Sequence, residues 1–136
     1  MNAKQLVAHA IDMMQKAYAP YSGFRVGAAL LTKDGKVYLG CNIENAAFSP
    51  TICAERTAFA KAVSEGEREF AAIAIVGGKD GNMTGAFPPC GVCRQVMAEF
   101  CDPNTFKVYL GLPEGYEEHL LKDLLPQGFF PSALNS

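Results

Sequence analysis

The sequence predicts an α/β fold with three layers, α/β/α, in which helices cover both faces of a mixed β-sheet. Segments with a helical period of apolar residues alternate with short apolar or β-branched runs along the 136-residue chain. A chain of this kind returns to one sheet through right-handed crossovers, so its helices come to lie on both faces. The length predicts a single domain covering residues 1–136.

The chain opens with a predicted amphipathic helix over residues 2–18. Four large apolar side chains recur there at spacings of four, three and four, namely Val7, Ile11, Met14 and Tyr18. These spacings place all four on one face of a helix, which we expect to pack against the sheet.

A predicted β-hairpin follows the helix. Residues 26–32 and 37–43 are rich in strand-forming residues, and Asp34-Gly35 between them is typical of a tight turn. At the end of the second strand Asn42 and Glu44 occupy alternate positions and therefore point to the same side. From spacing alone they are either a strand edge turning into solvent or hydrogen-bonding groups at the rim of a pocket.

Helices and strands alternate through the second half. Residues 53–66 favour a helix that ends at Gly66, and the continuous apolar run 71–76 is typical of a buried central strand. The remaining predicted elements are a helix over residues 90–100, a strand over 106–110, and a helix over 116–125 that Pro126 ends.

Composition narrows the classes of function. A net charge of −2 and a pI near 5.6 argue against a nucleic-acid partner, which usually requires a basic face. No segment has the length and apolarity of a membrane span, and the N-terminus lacks a signal sequence, so we expect a cytoplasmic protein without a membrane partner. Five cysteines, an odd number, favour free thiols or metal ligands over a disulfide framework.

The cysteine pattern predicts a metal site with an open coordination position. Cys53 and Cys90 each begin a predicted helix, and Cys93 lies one turn after Cys90 on the same face. Helix starts lower thiol pKa values and can converge at the strand ends of an open sheet, where three thiolates could bind one zinc ion. Glu55, two residues after Cys53, could stand beside the metal and move protons.

Two other interpretations of the cysteines remain open. Cys90-Gly91-Val92-Cys93 after a proline could be a redox dithiol, although that leaves Cys53-Ala54-Glu55 without a role. A structural zinc site could also recruit Cys41 or Cys101 as a fourth ligand. We otherwise expect Cys41 and Cys101 to be small buried residues.

Cys53-Ala54-Glu55, taken with Pro89-Cys90-x-x-Cys93, resembles the zinc signature of the cytidine deaminase superfamily. The resemblance is closest to the small homotetrameric cytidine deaminases of pyrimidine salvage, and it continues through residues 21–29, 40–46 and 124–126. It implies a cytidine deaminase-like fold and one Zn²⁺ per subunit, held by Cys53, Cys90 and Cys93.

The resemblance also implies a catalytic residue and a substrate pocket. Glu55 would take a proton from the zinc-bound water and deliver it to N3 of cytosine, and hydroxide would attack C4. Asn42 and Glu44 match the pair that hydrogen-bonds the sugar 3′-hydroxyl. Phe24 matches an aromatic residue that packs on the pyrimidine, and the backbone around Ala54 would face O2 and N3 of the base.

Further matches concern the surroundings of the metal and a subunit interface. Arg56 matches an arginine that hydrogen-bonds the ligand sulfurs, and Gln95 would support it. Phe129, or the adjacent Phe130, matches an aromatic residue that a neighbouring subunit contributes to each active site.

The function implied by the resemblance is hydrolytic deamination of cytidine and 2′-deoxycytidine, with a small nucleoside as the substrate. Two alternatives are deamination of a nucleoside-like antibiotic such as blasticidin S, and a non-enzymatic zinc or dithiol protein. The Asn42-Ile43-Glu44 segment argues against the antibiotic, because that branch departs from the ribose-binding pattern there.

Overall fold

A computed structural model describes residues 1–134, which fold into a five-stranded mixed sheet with helices on both faces, as predicted. No helix in this range is long and apolar enough to cross a membrane. In chain order the elements are α1 (Ala3–Met14), β1 (Phe24–Thr32), β2 (Val37–Cys41), α2 (Ala54–Ser64), β3 (Phe70–Lys79), α3 (Gly91–Phe100), β4 (Lys107–Gly111), β5 (Tyr116–Leu120), α4 (Leu121–Leu124) and a 3₁₀ turn (Pro131–Leu134).

The sheet has the strand order β2-β1-β3-β4-β5, with β3 at its centre. β1 pairs antiparallel with both β2 and β3, and β4 pairs antiparallel with β5. β3 and β4 are parallel, because the crossover that connects them passes through α3. The predicted hairpin and buried central strand are therefore confirmed.

Each face of the sheet has its own hydrophobic core. On one face α1 packs small and large side chains, among them Leu6, Ala10 and Met14, against the alanine-rich side of β1 and β3. On the other face α2 and α3 pack around Phe59 and Met97. Strand residues alternate between the two cores, as the period of two requires, and this confirms the three-layer arrangement.

Helix α1 is shorter than predicted, and the end of its expected apolar stripe is wrong. Val7 and Met14 are buried, but the helix stops at Met14 and Tyr18 is 55% exposed. Tyr18 instead forms a β-bridge with Ile43, donating its N–H to the carbonyl of Asn42 at 2.9 Å. Pro20, two residues further on, disfavours helix at this point of the chain.

The predicted helix over residues 116–125 is also wrong in its first half. Tyr116–Leu120 is the edge strand β5, and only Leu121–Leu124 is helical before Pro126. A tight turn precedes β5: Gly115 has φ +78°, which favours glycine, and its carbonyl accepts the N–H of Leu112 at 3.0 Å. The turn reverses the chain beside β4, so backbone pairing across the sheet overrides the local preference for helix.

Candidate active site

Three cysteine sulfurs converge at one point on the face covered by α2 and α3. The Sγ atoms of Cys53 and Cys90 are 3.8 Å apart, those of Cys90 and Cys93 are 3.5 Å apart, and all three lie within 4.8 Å of one another. A tetrahedral zinc ion with Zn–S bonds of about 2.3 Å places its sulfur ligands about 3.8 Å apart. The donor set and its spacing therefore fit a zinc ion.

Two helix starts bring these thiols together, as predicted. Cys53 and Cys90 are the N-cap residues of α2 and α3, both with extended backbone, and Cys93 lies in the first turn of α3. The N–H of Cys93 points to the sulfur of Cys90 at 3.5 Å. Unpaired amides and the helix dipole at such positions favour the thiolate form that a metal ion requires.

The other two cysteines are not part of this group. Cys101 is buried in the core beneath α3, and Cys41 donates its thiol to the carbonyl of Lys16 at 3.5 Å. Within residues 1–134, only Cys53, Cys90 and Cys93 form such a three-residue group. The arrangement does not support a four-cysteine structural site, and a third thiol beside the Cys-x-x-Cys pair does not fit a simple dithiol.

Arg56 stabilises negative charge on the cluster. Its Nη2 lies 3.5 Å from the sulfur of Cys53 and 3.4 Å from the carbonyl of Thr51, while its buried Nε has no hydrogen-bond partner in the described part of the chain. Hydrogen bonds from Cys93 and Arg56 lower the pKa of Cys53 to about 5. The same bond to Cys53, together with burial, raises the pKa of Cys93.

Glu55 is the buried carboxyl beside the cluster. It is the second residue of α2, only 4% exposed, and burial raises its pKa to about 7, with the charge of Cys53 adding to the effect. A group with a pKa near neutrality can both accept and release a proton at physiological pH. This carboxyl is therefore suited to general acid and base chemistry.

Asn42 and Glu44 follow the end of β2, and both make ordered hydrogen bonds. The Asn42 side chain accepts the N–H of Val26 and donates to the carbonyl of Phe24, both at 2.8 Å, which leaves one amide hydrogen and one oxygen lone pair for another partner. Glu44 accepts the N–H groups of Tyr21 and Ser22 at 3.0 Å, and its other oxygen accepts the Ser22 hydroxyl.

These contacts stabilise the ionised form of the Glu44 carboxylate. Burial on its own would raise its pKa, but the hydrogen bonds from Ser22 and Tyr21 outweigh burial and lower it. Glu44 also lines a cavity of about 360 Å³, whose walls are Tyr21, Ser22, Glu44, Asn45, Phe48 and Thr51. Within residues 1–134, the three clustered cysteines are not among the residues that line this cavity.

Phe24 lies at the start of β1 and is 43% exposed. Its ring centroid is 6.2 Å from that of Phe87, and Nζ of Lys79 lies 5.3 Å from the ring. Lys79 also donates to the carbonyl of Ser22 at 2.7 Å. The ring is therefore held by an aromatic and a cationic neighbour and keeps exposed surface that a planar ligand could contact.

Comparison with known proteins identifies the family. The family model described as the cytidine and deoxycytidylate deaminase zinc-binding region matches residues 1–109. The chain belongs to this family.

Full-length relatives and solved structures agree with that membership. A cytidine deaminase of Halalkalibacterium halodurans is 50% identical, with 99% of each chain covered. One from Sporosarcina psychrophila is 51% identical over 95% of this chain and 92% of its own. The crystal structure of cytidine deaminase from Burkholderia pseudomallei has a TM-score of 0.87 and 48% identity, covering 95% of this chain and 100% of that one. The structure from Mycobacterium tuberculosis has a TM-score of 0.80 and 36% identity, with coverage of 95% and 98%. The predicted cytidine deaminase-like fold is confirmed.

In this deaminase-family chain, Gln95 and Phe129 connect α3 to the C-terminal segment. Nε2 of Gln95 donates to the carbonyl of Phe129 at 2.7 Å, so its hydrogen bond goes to the tail, whereas Arg56 contacts the sulfur of Cys53. The Phe129 ring is 59% exposed. Ala54, the first residue of α2, is fully buried.

Sequence reasoning missed two residues that organise the site, Ser22 and Arg94. Ser22 orients Glu44, and only its place in a family-like block could have indicated this. Arg94 donates to the carbonyls of Pro89 and Leu124, at 2.8 and 2.7 Å, and thereby ties the start of α3 to the tail. No local pattern marks Arg94, because both of its partners depend on the folded topology.

Proposed function

We propose that the protein is a zinc-dependent hydrolase of pyrimidine salvage, which converts cytidine and 2′-deoxycytidine to uridine and 2′-deoxyuridine with release of ammonia. One observation carries the proposal: three thiols spaced for zinc lie beside a buried carboxyl whose pKa is raised to about 7. Similarity to cytidine deaminases over nearly the whole chain supports it.

Cys53, Cys90 and Cys93 would hold one zinc ion per chain. When bound, the ion supplies a nucleophile at neutral pH by lowering the pKa of water. Three thiolates and Zn²⁺ carry a net charge of −1, which weakens the Lewis acid. Arg56 offsets this charge through its contact with the sulfur of Cys53.

Glu55 moves the protons of the reaction. Its carboxylate takes the first proton from the attacking water and gives it to N3 of the cytosine ring, which makes C4 electrophilic, while the water oxygen forms a bond to C4. It later transfers the second proton of the added water to the amino group on C4, which leaves as ammonia. Burial raises the pKa of this carboxyl to about 7, so it can both accept and release a proton near neutral pH.

The nucleoside would be held by the strand ends beside α2. Asn42 and Glu44 hydrogen-bond the 3′-hydroxyl, with Glu44 fixed by Ser22 and the spare amide hydrogen of Asn42 available. The Phe24 ring packs on the pyrimidine, and the backbone at Ala54 faces O2 and N3. Because none of these contacts involves the 2′ position of the sugar, we expect both cytidine and 2′-deoxycytidine to bind.

A homotetramer is part of the proposal. The single chain leaves the ring of Phe129 59% exposed and that of Phe48 75% exposed, and a neighbouring subunit would use such rings to close the pocket. We place the enzyme in the cytoplasm, where reducing conditions would keep the three thiols available for the metal. Nucleic acid and membrane are not proposed as partners.

The test is a substrate panel with the zinc-loaded protein. Ammonia release is followed with cytidine, deoxycytidine, their 5′-monophosphates and blasticidin S, together with the zinc content per chain. We expect turnover of both nucleosides at about one zinc per chain, by the ligand count above. Turnover of deoxycytidylate or the antibiotic without the nucleosides would overturn the substrate assignment, and a zinc protein inactive on all five would overturn the enzyme.

A further inference from the structure

Gly40, in β2, lies directly beneath the first turns of α2. A Cβ atom at this buried position would lie 2.3 Å from the carbonyl oxygen of Ala54 and 2.7 Å from the backbone nitrogen of Ala58. Real Cβ atoms essentially never come within 3.0 Å of another heavy atom in this way. The backbone of α2 therefore rests on the strand at a distance that only glycine permits.

The side chain of Thr57 links β2 and α2 by hydrogen bonding. The hydroxyl lies 3.1 Å from the carbonyl of Cys41 in β2 and 3.1 Å from the carbonyl of Cys53 at the start of α2. Its single hydrogen is shared between the end of a strand and the start of a helix. Gly40 thus sets how closely α2 approaches β2, and Thr57 holds it there.

We propose that Gly40 and Thr57 are positioning residues for the reaction. The helix start carries Cys53 and Glu55, and the strand continues directly into Asn42, so this contact fixes the proton-transfer group relative to the sugar-binding group. The inference rests on the proposed function for its catalytic meaning, since a displacement of about 1 Å can reduce a rate about a hundredfold.

Gly27 provides a matched control on the opposite face of the sheet. A Cβ there would lie 2.0 Å from the carbonyl oxygen of Ala10 and 2.6 Å from the backbone nitrogen of Met14, both in α1. Gly27→Ala therefore displaces a helix by a similar clash. That helix bears none of the proposed metal, proton-transfer or substrate residues.

The experiment compares Gly40→Ala with Gly27→Ala. Each variant is assayed for kcat and KM with cytidine, for thermal unfolding, and for the absorption spectrum of the cobalt-loaded protein. We expect both variants to unfold at lower temperature. Gly40→Ala should lower kcat by about tenfold to a hundredfold, with KM changed by less than about threefold, and alter the cobalt–thiolate bands. Gly27→Ala should keep the wild-type kcat per folded molecule and the wild-type spectrum.

Thr57→Val and Thr57→Ser test the proposal with smaller changes. Thr57→Val keeps the shape but removes the hydrogen bond, so we expect kcat to fall about fivefold, the equivalent of one ordinary hydrogen bond. Thr57→Ser restores the hydroxyl and should recover most of that loss. This pair decides the matter even where Gly40→Ala does not fold.

The proposal is overturned where Gly40→Ala retains the wild-type kcat and spectrum, where Gly27→Ala loses kcat to the same degree, or where Thr57→Val equals the wild type. The proposed function fails separately, through a wild-type protein that does not deaminate cytidine. In that case the cobalt spectra still test the position of α2, since they need no substrate. Unchanged spectra in Gly40→Ala would then reject the positioning role.

Discussion

The helices on the two faces of the sheet begin in different ways. On the face without the cluster, α1 begins with a complete capping box: Asn2 accepts the N–H of Gln5 at 2.9 Å, and the Gln5 side chain accepts the N–H of Asn2 at 3.0 Å. On the other face, Cys53 makes no side-chain capping hydrogen bond for α2. Cys90 accepts the N–H of Cys93 at 3.5 Å as its capping hydrogen bond for α3.

The difference in capping means that α2 and α3 begin with less stabilising residues than α1, at the positions where the thiols are needed. A good N-cap contributes about 1 kcal/mol to a helix, and a cysteine in that position contributes less. Both cysteines instead place a thiol at a helix start, where the positive end of the helix dipole favours thiolate. The residues that begin α1 therefore stabilise the fold, whereas those that begin α2 and α3 are polar groups suited to binding a metal ion and a substrate.

On the face covered by α2 and α3, Glu55→Gln should give the largest loss of kcat. The amide fits the same space but cannot transfer a proton, so kcat for cytidine should fall by about a thousandfold or more. The zinc content should stay at about one ion per chain, because the three thiols are untouched. Steady-state kinetics and metal analysis measure the two quantities.

Glu65→Gln, at the exposed C-terminal end of the same helix, is the control. We expect its kcat to equal that of the wild type. Substantial activity in Glu55→Gln, or loss of zinc from it, would contradict the role given to this carboxyl.

Removing a thiol should distinguish the cluster from the core. Cys93→Ala deletes one of the three sulfurs and should leave the purified protein with little zinc and no measurable turnover. Cys101→Ala removes a buried thiol from the core and should lower the free energy of unfolding by about 1 kcal/mol while zinc and kcat remain. Equal zinc loss in both variants would mean that the metal group is not confined to the cluster.

The free energy of unfolding of the metal-free protein should depend on pH because Glu55 is buried. Its pKa is about 7 in the fold against 4.5 for the free group, so the folded state holds the proton more tightly. This carboxyl therefore favours folding most below pH 4.5 and loses roughly 3 kcal/mol of that contribution as the pH rises past 7.

The glutamine of Glu55→Gln does not titrate. Between about pH 4 and about pH 8 the wild type should therefore lose free energy of unfolding relative to this variant. Urea unfolding of both metal-free proteins at the two pH values measures the change. A constant difference between them would show that the carboxyl is not desolvated in the fold.

The smallest expected effect lies on the structural face. Asn2→Ala removes the cap of α1 and should lower the free energy of unfolding by about 1 kcal/mol, with kcat per folded molecule unchanged. Asn2→Ser, which retains a capping oxygen, is the matched control and should be nearly as stable as the wild type. A fall in kcat for Asn2→Ala would show that the two faces are more tightly coupled than the packing suggests.

The sequence predicts the features that local chemistry controls. Asp34-Gly35 is sufficient for the hairpin, and the apolar run 71–76 for the central strand. The site was predictable through the spacing of its cysteines and its resemblance to a family. The helix prediction for residues 116–125 was wrong because Gly115 turns the chain into an edge strand. The pairing of that strand with β4 leaves no signal in the local sequence. Gly40 and Thr57 acquire their roles only from the approach of α2 to the strand.

The separation of the thiols along the chain has a consequence for how the protein folds. Cys53 and Cys90 are 37 positions apart, and the segment between them contains β3, the centre of the sheet. The fold brings their sulfurs to within 3.8 Å of each other by docking β3 between β1 and β4, whereas in the unfolded chain only Cys90 and Cys93 are close together along the sequence. Metal capture should therefore come late in folding and favour the native state through its ligand affinity, as binding linkage requires.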